Sequence, residues 1–181
     1  MSFVPPDGAF ELMRYRIKSK TKVTPPIYCQ SQMMTEAGSD VARCTITVGL
    51  KHSSSIVTPN KSKSVTVEDV VVTVPFPKAI KTATLTANVG TVAYDESSKV
   101  AKWTIGNMSA ALGKAPQMSG KVILAGARLE ESPPIGMEWK VPVSSISGIA
   151  IASLQLTNEQ YKPYKGVRTI TRSGRFQVRM S

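Results

Sequence analysis

Residues 42–50, Ala-Arg-Cys-Thr-Ile-Thr-Val-Gly-Leu, alternate in character: Ala42, Cys44, Ile46, Val48 and Leu50 share one face of an extended chain, and Arg43, Thr45 and Thr47 share the other. Successive side chains of a strand point to opposite sides, so a period of two buries one face and wets the other. That period recurs along the sequence while sustained 3.6-residue periodicity does not, which restricts the chain to sheets. Residues 135–143 repeat the pattern, with Ile135, Met137, Trp139, Val141 and Val143 against Gly136, Glu138, Lys140 and Pro142. Pro142 marks a strand end or an edge. The β-branched run at 67–76 favours a strand over a helix. Residues 91–105 read as two strands joined by the polar turn Asp95 to Ser98.

Further strands are expected at 10–17, 27–34, 80–87, 120–128, 148–157, 165–171 and 175–180. The segment 106–118 admits one helical turn around Ser109 to Leu112, confined by Gly106, Gly113 and Pro116. About ten short strands with turns between them predict an all-β sandwich or an elongated barrel. Ile46, Val48, Val72, Val74, Trp103, Trp139 and Val141 are its expected core.

The 181 residues suit one substantial domain or two small subdomains sharing a core. No apolar run reaches the roughly 18 residues of a spanning helix. The first ten residues carry neither a charged nor an apolar signal region, so a cytosolic location is expected. Cys29 and Cys44 make no disulfide framework and read as small core residues in strands.

The net charge of +11 predicts attraction to polyanions, either nucleic acid or an anionic membrane leaflet. The last twenty residues before Ser181 carry six basic residues and no acidic one. Strand-built surfaces that bind single-stranded nucleic acid interleave aromatic platforms with cations. Aromatics are only 6% here, and the tail offers Tyr161, Tyr164 and Phe176, of which Phe176 alternates with Arg175 and Gln177 as a core residue would. A basic nucleic-acid binder stays open as an alternative.

Catalytic constellations are hard to assemble from these residues, and no enzyme is expected. His52 is the only histidine, and with two cysteines fifteen residues apart it falls short of a four-ligand metal set. The pairs Glu68/Asp69, Asp95/Glu96 and Glu130/Glu131 are adjacent in sequence, so in strands they would point to opposite faces and in turns they would face water. Neither a phosphate-cradling glycine loop nor a G-x-S-x-G elbow occurs. No cofactor is implied.

Two stretches are more specific. Residues 2–17, with the opening P-P-D-G-x-F-x-L-M-x-Y-R, and residues 164–180, Y-K-G-V-R-T-I-T-R-S-G-R-F-Q-V-R-M, resemble the C-terminal cargo-binding region of the medium (mu) subunits of clathrin-associated adaptor complexes. Residues 100–108, 119–126 and 145–156 fall between them in the family's order and spacing. The likeness covers essentially the whole chain, and the tail is most similar to members from the third adaptor complex.

The resemblance implies an elongated, immunoglobulin-like β-sandwich of two joined subdomains. Residues of about 18–145 would form the second subdomain, and 1–17 with 146–181 would be strands of the first. It implies recognition of Tyr-x-x-Φ sorting signals, Φ being a bulky apolar residue, in the cytosolic tails of membrane proteins. The peptide would lie extended beside edge strands. Ile151 and Leu154, with Val167, would wall the Φ pocket; Arg168 would stack on the signal's tyrosine ring, and Lys165 would add its aliphatic stem. Gly166 stands where the endocytic and Golgi relatives carry a tryptophan, which implies weaker or differently selective tyrosine binding. The family's domain begins upstream of residue 2, and its earlier strands supply a carboxylate to the tyrosine pocket. The expectation is thus a chain with part of the site, and a scaffold part without its own peptide site is a further alternative. Implied partners are the other adaptor subunits and an anionic membrane surface, and the implied place is the cytoplasmic face of Golgi, endosomal or coated-vesicle membranes.

The charge makes a direct prediction. Each basic residue near an anionic leaflet contributes about 1 kcal/mol, screened within roughly a Debye length. At low salt the chain is expected to co-sediment more readily with acidic-lipid vesicles than with neutral ones. Equal recovery with both would show that the charge merely solvates the surface.

Overall fold

A computed structural model describes residues 2–16, 18, 24–35, 38–51, 66–126, 134–145, 149–158, 160 and 164–180. The alternating segments form two antiparallel sheets. The first contains β1 (Ile27–Thr35), β2 (Val41–Leu50), β4 (Ile80–Ala87) and β7 (Gln117–Leu124), in the order β1-β2-β7-β4. The second contains β3 (Val67–Pro75), β5 (Thr91–Asp95), β6 (Val100–Met108), β8 (Pro134–Pro142) and β10 (Phe176–Arg179), in the order β10-β8-β3-β6-β5. The short β9 (Ile170–Arg172) pairs with the far end of β8.

The two sheets bury their alternate faces in one apolar cluster, so the architecture is an all-β sandwich and not a barrel. Ala42, Cys44, Ile46 and Val48 of β2 meet in that cluster with Val70, Val72 and Val74 of β3, Trp103 of β6 and Met137, Trp139 and Val141 of β8. All seven core residues read from the alternation are buried. Trp103 can be fully enclosed because its indole N–H donates to the Val89 carbonyl at 2.9 Å, which satisfies the one polar atom of the ring. The turn between β5 and β6 falls where the polar run placed it. There the Asp95 carboxylate accepts from the hydroxyls of Ser98 and Ser97, each at 2.7 Å, and these bonds hold its pKa down at about 2. The single turn of 3-10 helix covers Ala110–Leu112, within the segment that the flanking glycines confined.

Several sequence expectations need correction. Residues 10–16 form no strand, nor do 149–157, and the strand expected over 165–171 shrinks to Ile170–Arg172. A strand exists only where a neighbouring strand takes its backbone hydrogen bonds in register, and no strand pairing among the described residues includes 10–16, 149–157 or 165–169. The strand expected at 120–128 runs from Gln117 to Leu124, because its start pairs with Thr47 of β2 and Gly126 turns the chain out at a φ of 76°. Val143, expected on the buried face, is exposed: it follows the strand end at Pro142, and its φ of 55° breaks the alternation. Glu68 and Asp69 do not point to opposite faces. A bulge in β3, with Asp69 at a φ of 52°, lets both carboxylates approach the Lys140 ammonium, Asp69 at 2.6 Å and Glu68 at 3.8 Å. His52 and the Glu130/Glu131 pair lie outside the described residues.

Close strand contact depends on Gly120, which lies opposite Leu85 of β4 and Cys44 of β2. A Cβ at Gly120 would run into the Thr84 carbonyl oxygen and come within 2.9 Å of the Leu85 Cα. At Gly136 in β8 an added Cβ would meet the Thr73 Cβ at 3.8 Å, an ordinary contact. Gly120→Ala is therefore expected to destabilise the chain by about 1–3 kcal/mol through overpacking. Gly136→Ala should stay within about 0.5 kcal/mol of the parent. Urea unfolding midpoints of the two variants check the contrast.

Candidate peptide-binding surface

The tail reaches this surface by way of β8. Phe176 and Val178 turn inward against the core, in register with Met137 and Ile135 of β8. Ser173 stitches the junction between β9 and β10: its N–H donates to the Trp139 carbonyl at 3.0 Å, and its hydroxyl accepts from the Trp139 N–H at 3.2 Å. One step back along the chain, the Val143 N–H donates to the Thr169 carbonyl at 2.8 Å, and the Thr171 hydroxyl donates to the Ser144 carbonyl at 2.8 Å. These bonds anchor the start of the tail, and residues 164–168 run outward from that anchor into solvent.

Two segments outside the strands carry the candidate residues, 149–158 with Ile151 and Leu154, and 164–169 with Lys165, Gly166, Val167 and Arg168. The Lys165 ammonium joins them by donating to the Leu154 carbonyl at 2.9 Å. Ile151, Leu154 and Val167 are 60%, 46% and 55% exposed, so each holds a bulky apolar side chain in water. Ile149, Leu156 and Tyr164 extend the same exposed apolar character. Concentrations of exposed apolar side chains mark places where another chain is taken up. Arg168 is exposed and has no ion-pair partner among the described residues.

Two features here were not read from the sequence. Lys165 contributes its charged end as well as its stem, because the ammonium ties the segments together. In addition, the Tyr164 ring lies over Gly166, 3.6 Å from where a Cβ would stand. Residues two apart on an extended chain share a face, so the pairing of an aromatic with a glycine at this spacing was the available signal. Residues 2–16 are likewise exposed, with Phe3 and Phe10 in a tilted ring contact at 6.0 Å and Arg14 paired to Glu11 at 2.8 Å.

The model of the adaptor complexes medium subunit family matches residues 1–180. The chain belongs to this family. Among curated relatives it is 41% identical over 182 residues to the AP-3 complex subunit mu of Dictyostelium discoideum, covering 99% of this chain. It is 37% identical to the AP-3 complex subunit mu-1 of Gallus gallus and 35% identical to that of Homo sapiens, again over 99% of its length. The chain spans 41% of the length of each of these relatives. Among solved structures it is similar to the mu homology domain of Danio rerio Fcho1 with bound Eps15 peptide, at a TM-score of 0.56 and 14% identity, covering 86% of this chain and 51% of that one. That likeness is one of fold.

No group of histidine, cysteine, aspartate and glutamate side chains among the described residues could hold a metal ion. No helix among them is long and apolar enough to cross a membrane. The two thiols sit in strands as expected, Cys44 buried and Cys29 half-buried. Burial pushes both up from 9.0 to about 11. At pH 7.5 iodoacetamide should therefore label the native chain much more slowly than the urea-unfolded one. Because the folded values lie above the unfolded ones, this contribution to stability is present below pH 9 and is lost as the pH rises towards 11. The thermal midpoint is expected to fall across that window, and less steeply in a Cys44→Ala variant.

Proposed function

We propose that this chain is the signal-recognition part of an adaptor mu subunit, which binds Tyr-x-x-Φ signals in cytosolic tails of membrane proteins for vesicle transport to endosomes and lysosomes or vacuoles. The observation that carries the reading is the tie between Lys165 and the Leu154 carbonyl. It joins the segment bearing exposed Ile151 and Leu154 to the segment bearing Val167 and Arg168. An extended peptide laid along these segments would find backbone groups to pair with, apolar side chains for Φ and a guanidinium for the tyrosine ring. That a mu homology domain accepts a peptide is supported by the Fcho1 domain with its Eps15 peptide.

In this reading the chain works at the cytoplasmic face of Golgi, endosomal or coated-vesicle membranes, beside other adaptor subunits, with its positive charge turned to the anionic leaflet. Residues of about 18–145 are one β subdomain, to which β9 and β10 stay paired through β8. Residues 1–17 and the segments of 146–169 pack with strands carried by the upstream part that the longer relatives possess. That packing covers the apolar side chains of Phe3, Phe10, Leu12 and Met13, all of which are exposed here.

Binding is measured by calorimetry with a Tyr-x-x-Leu peptide, on this chain and on one extended upstream to the length of its relatives. Arg168→Ala in the longer chain removes a cation–π contact and a charge-assisted hydrogen bond. The expected loss is about 1–3 kcal/mol, or roughly ten- to hundredfold in affinity. Gly166→Trp is expected to tighten binding, since an added Cβ there meets only the Tyr164 ring, at ordinary contact distance. Phosphorylation of the peptide tyrosine should weaken binding in a pocket shaped for a neutral phenol. Parent affinity in a folded Arg168→Ala chain would overturn the assignment.

A further inference from the structure

The two sheets of the sandwich differ in charge. The strands of the sheet built on β3 and β8 hold Glu68, Asp69, Asp95 and Glu138 against four basic residues, so their formal charges balance. The strands of the other sheet, β1, β2, β4 and β7, hold Arg43, Lys81 and Lys121 and no acidic residue. Among the strands, the positive excess therefore lies on one side of the sandwich.

The register sets two of these cations side by side. The Val48 N–H donates to the Pro116 carbonyl at 2.9 Å and the Leu124 N–H to the Asp40 carbonyl at 2.7 Å, which fixes the phase of the ladder between β2 and β7. Arg43 then stands opposite Lys121 as a non-hydrogen-bonded pair, the kind in which facing side chains come closest. Like charges directly opposite one another destabilise a sheet. Both side chains are exposed, and neither has an ion-pair partner among the described residues. In the same row Met34 of β1, 57% exposed, flanks Arg43, and the exposed Thr84 of β4 flanks Lys121. The next row on this outer face is Gln32, Thr45, Ser119 and Thr86, which add amide and hydroxyl groups and no charge.

We infer that Arg43 and Lys121 form a phosphate-binding site, through which the outer face of the four-stranded sheet lies on an anionic lipid bilayer. A guanidinium and an ammonium in facing positions converge on one headgroup phosphate, whose charge relieves the repulsion that the free chain carries. The amide and hydroxyl row alongside offers hydrogen bonds to further headgroup oxygens. Two features select a bilayer over nucleic acid. Neither row contains an aromatic side chain on which a base could stack, and Met34 sets an exposed apolar side chain beside Arg43, as suits a headgroup layer with hydrocarbon beneath it. The inference rests on the leaflet contact of the reading above and names the face that makes it. It stands whether or not the surface around Arg168 binds tyrosine signals.

The test is co-sedimentation of the full chain with vesicles of phosphatidylserine and phosphatidylcholine at low salt. Arg43→Gln and Lys121→Gln should each weaken binding about fivefold, the share of one cation at such a surface. Lys102→Gln, which removes the same charge from an exposed position of the other sheet, should change it less than twofold. Because either of the first two substitutions ends a like-charge contact, their urea midpoints should equal or exceed the parent's, which separates lost binding from lost folding. On nanodiscs of the same lipids with a spin label on the headgroup, the methyl resonance of Met34 should broaden, and that of Met33, half-buried against the core, should not. Equal losses in all three variants, or an unbroadened Met34, would overturn the inference while leaving the leaflet reading in place. Equal recovery of the parent with neutral vesicles would overturn both. Release from the vesicles by inorganic phosphate or by a single-stranded oligonucleotide, at a phosphate concentration equal to that of the lipid, would make that ligand the occupant and overturn the bilayer assignment.

Discussion

Everything else in this molecule hangs on the burial of one face of each sheet against the other. Val72 and Val74 of β3, Trp103 of β6 and Met137 of β8 form one side of that contact, and Cys44, Ile46 and Val48 of β2 belong to the other. Removing such surface from water is worth roughly 25 cal/mol per Å², and each large side chain buried in full adds about 1.5–3 kcal/mol. Within the four-stranded sheet, strands approach closely where small residues sit between them. Gly120 has no room for a side chain beside the Thr84 carbonyl, and Gly49 lies under the Tyr28 ring.

β8 turns that core into a support for the tail. One side of β8 pairs with β3 in the sandwich, and the other holds β10 and β9 in succession. Ser173 spans the interval through its two bonds to Trp139, a residue whose own ring is buried. Residues 164–168 therefore start from a rigid anchor even though their side chains are in water. The scaffold supplies position, and the segment leaves Arg168 and Val167 exposed.

Exposed apolar side chains at 3–15 and 149–167 stand beside the single core of the sandwich. The strands β1 to β8 and β10 find neighbours within the chain and turn alternate side chains to the core. The segments 2–16, 149–158 and 164–168 stay exposed. The positive charge adds a long-range field to this shape, favouring anionic surfaces and acidic segments and disfavouring contact between copies.

The period of two by itself determined the class of fold and most of the core, because it is a local property: the side chains of a strand alternate whatever the strand pairs with. It placed Ile46, Val48, Val72, Val74, Trp103, Trp139 and Val141 inside and the turn at Asp95 outside. The family was legible too, since the opening of the chain and its tail carry specific motifs. The sequence could not say which alternating segments become strands. Residues 149–157 read as a strand from the sequence, as Ile27–Thr35 does, yet only the second is paired along its length with a neighbouring strand. Pairing is a contact between residues far apart in the chain, so tertiary structure alone decided it. It also decided that a bulge brings Glu68 and Asp69 together on Lys140 and that Lys165 reaches the Leu154 carbonyl. Each of these depends on the strand or segment that lies alongside, and no local pattern of residues records its neighbour.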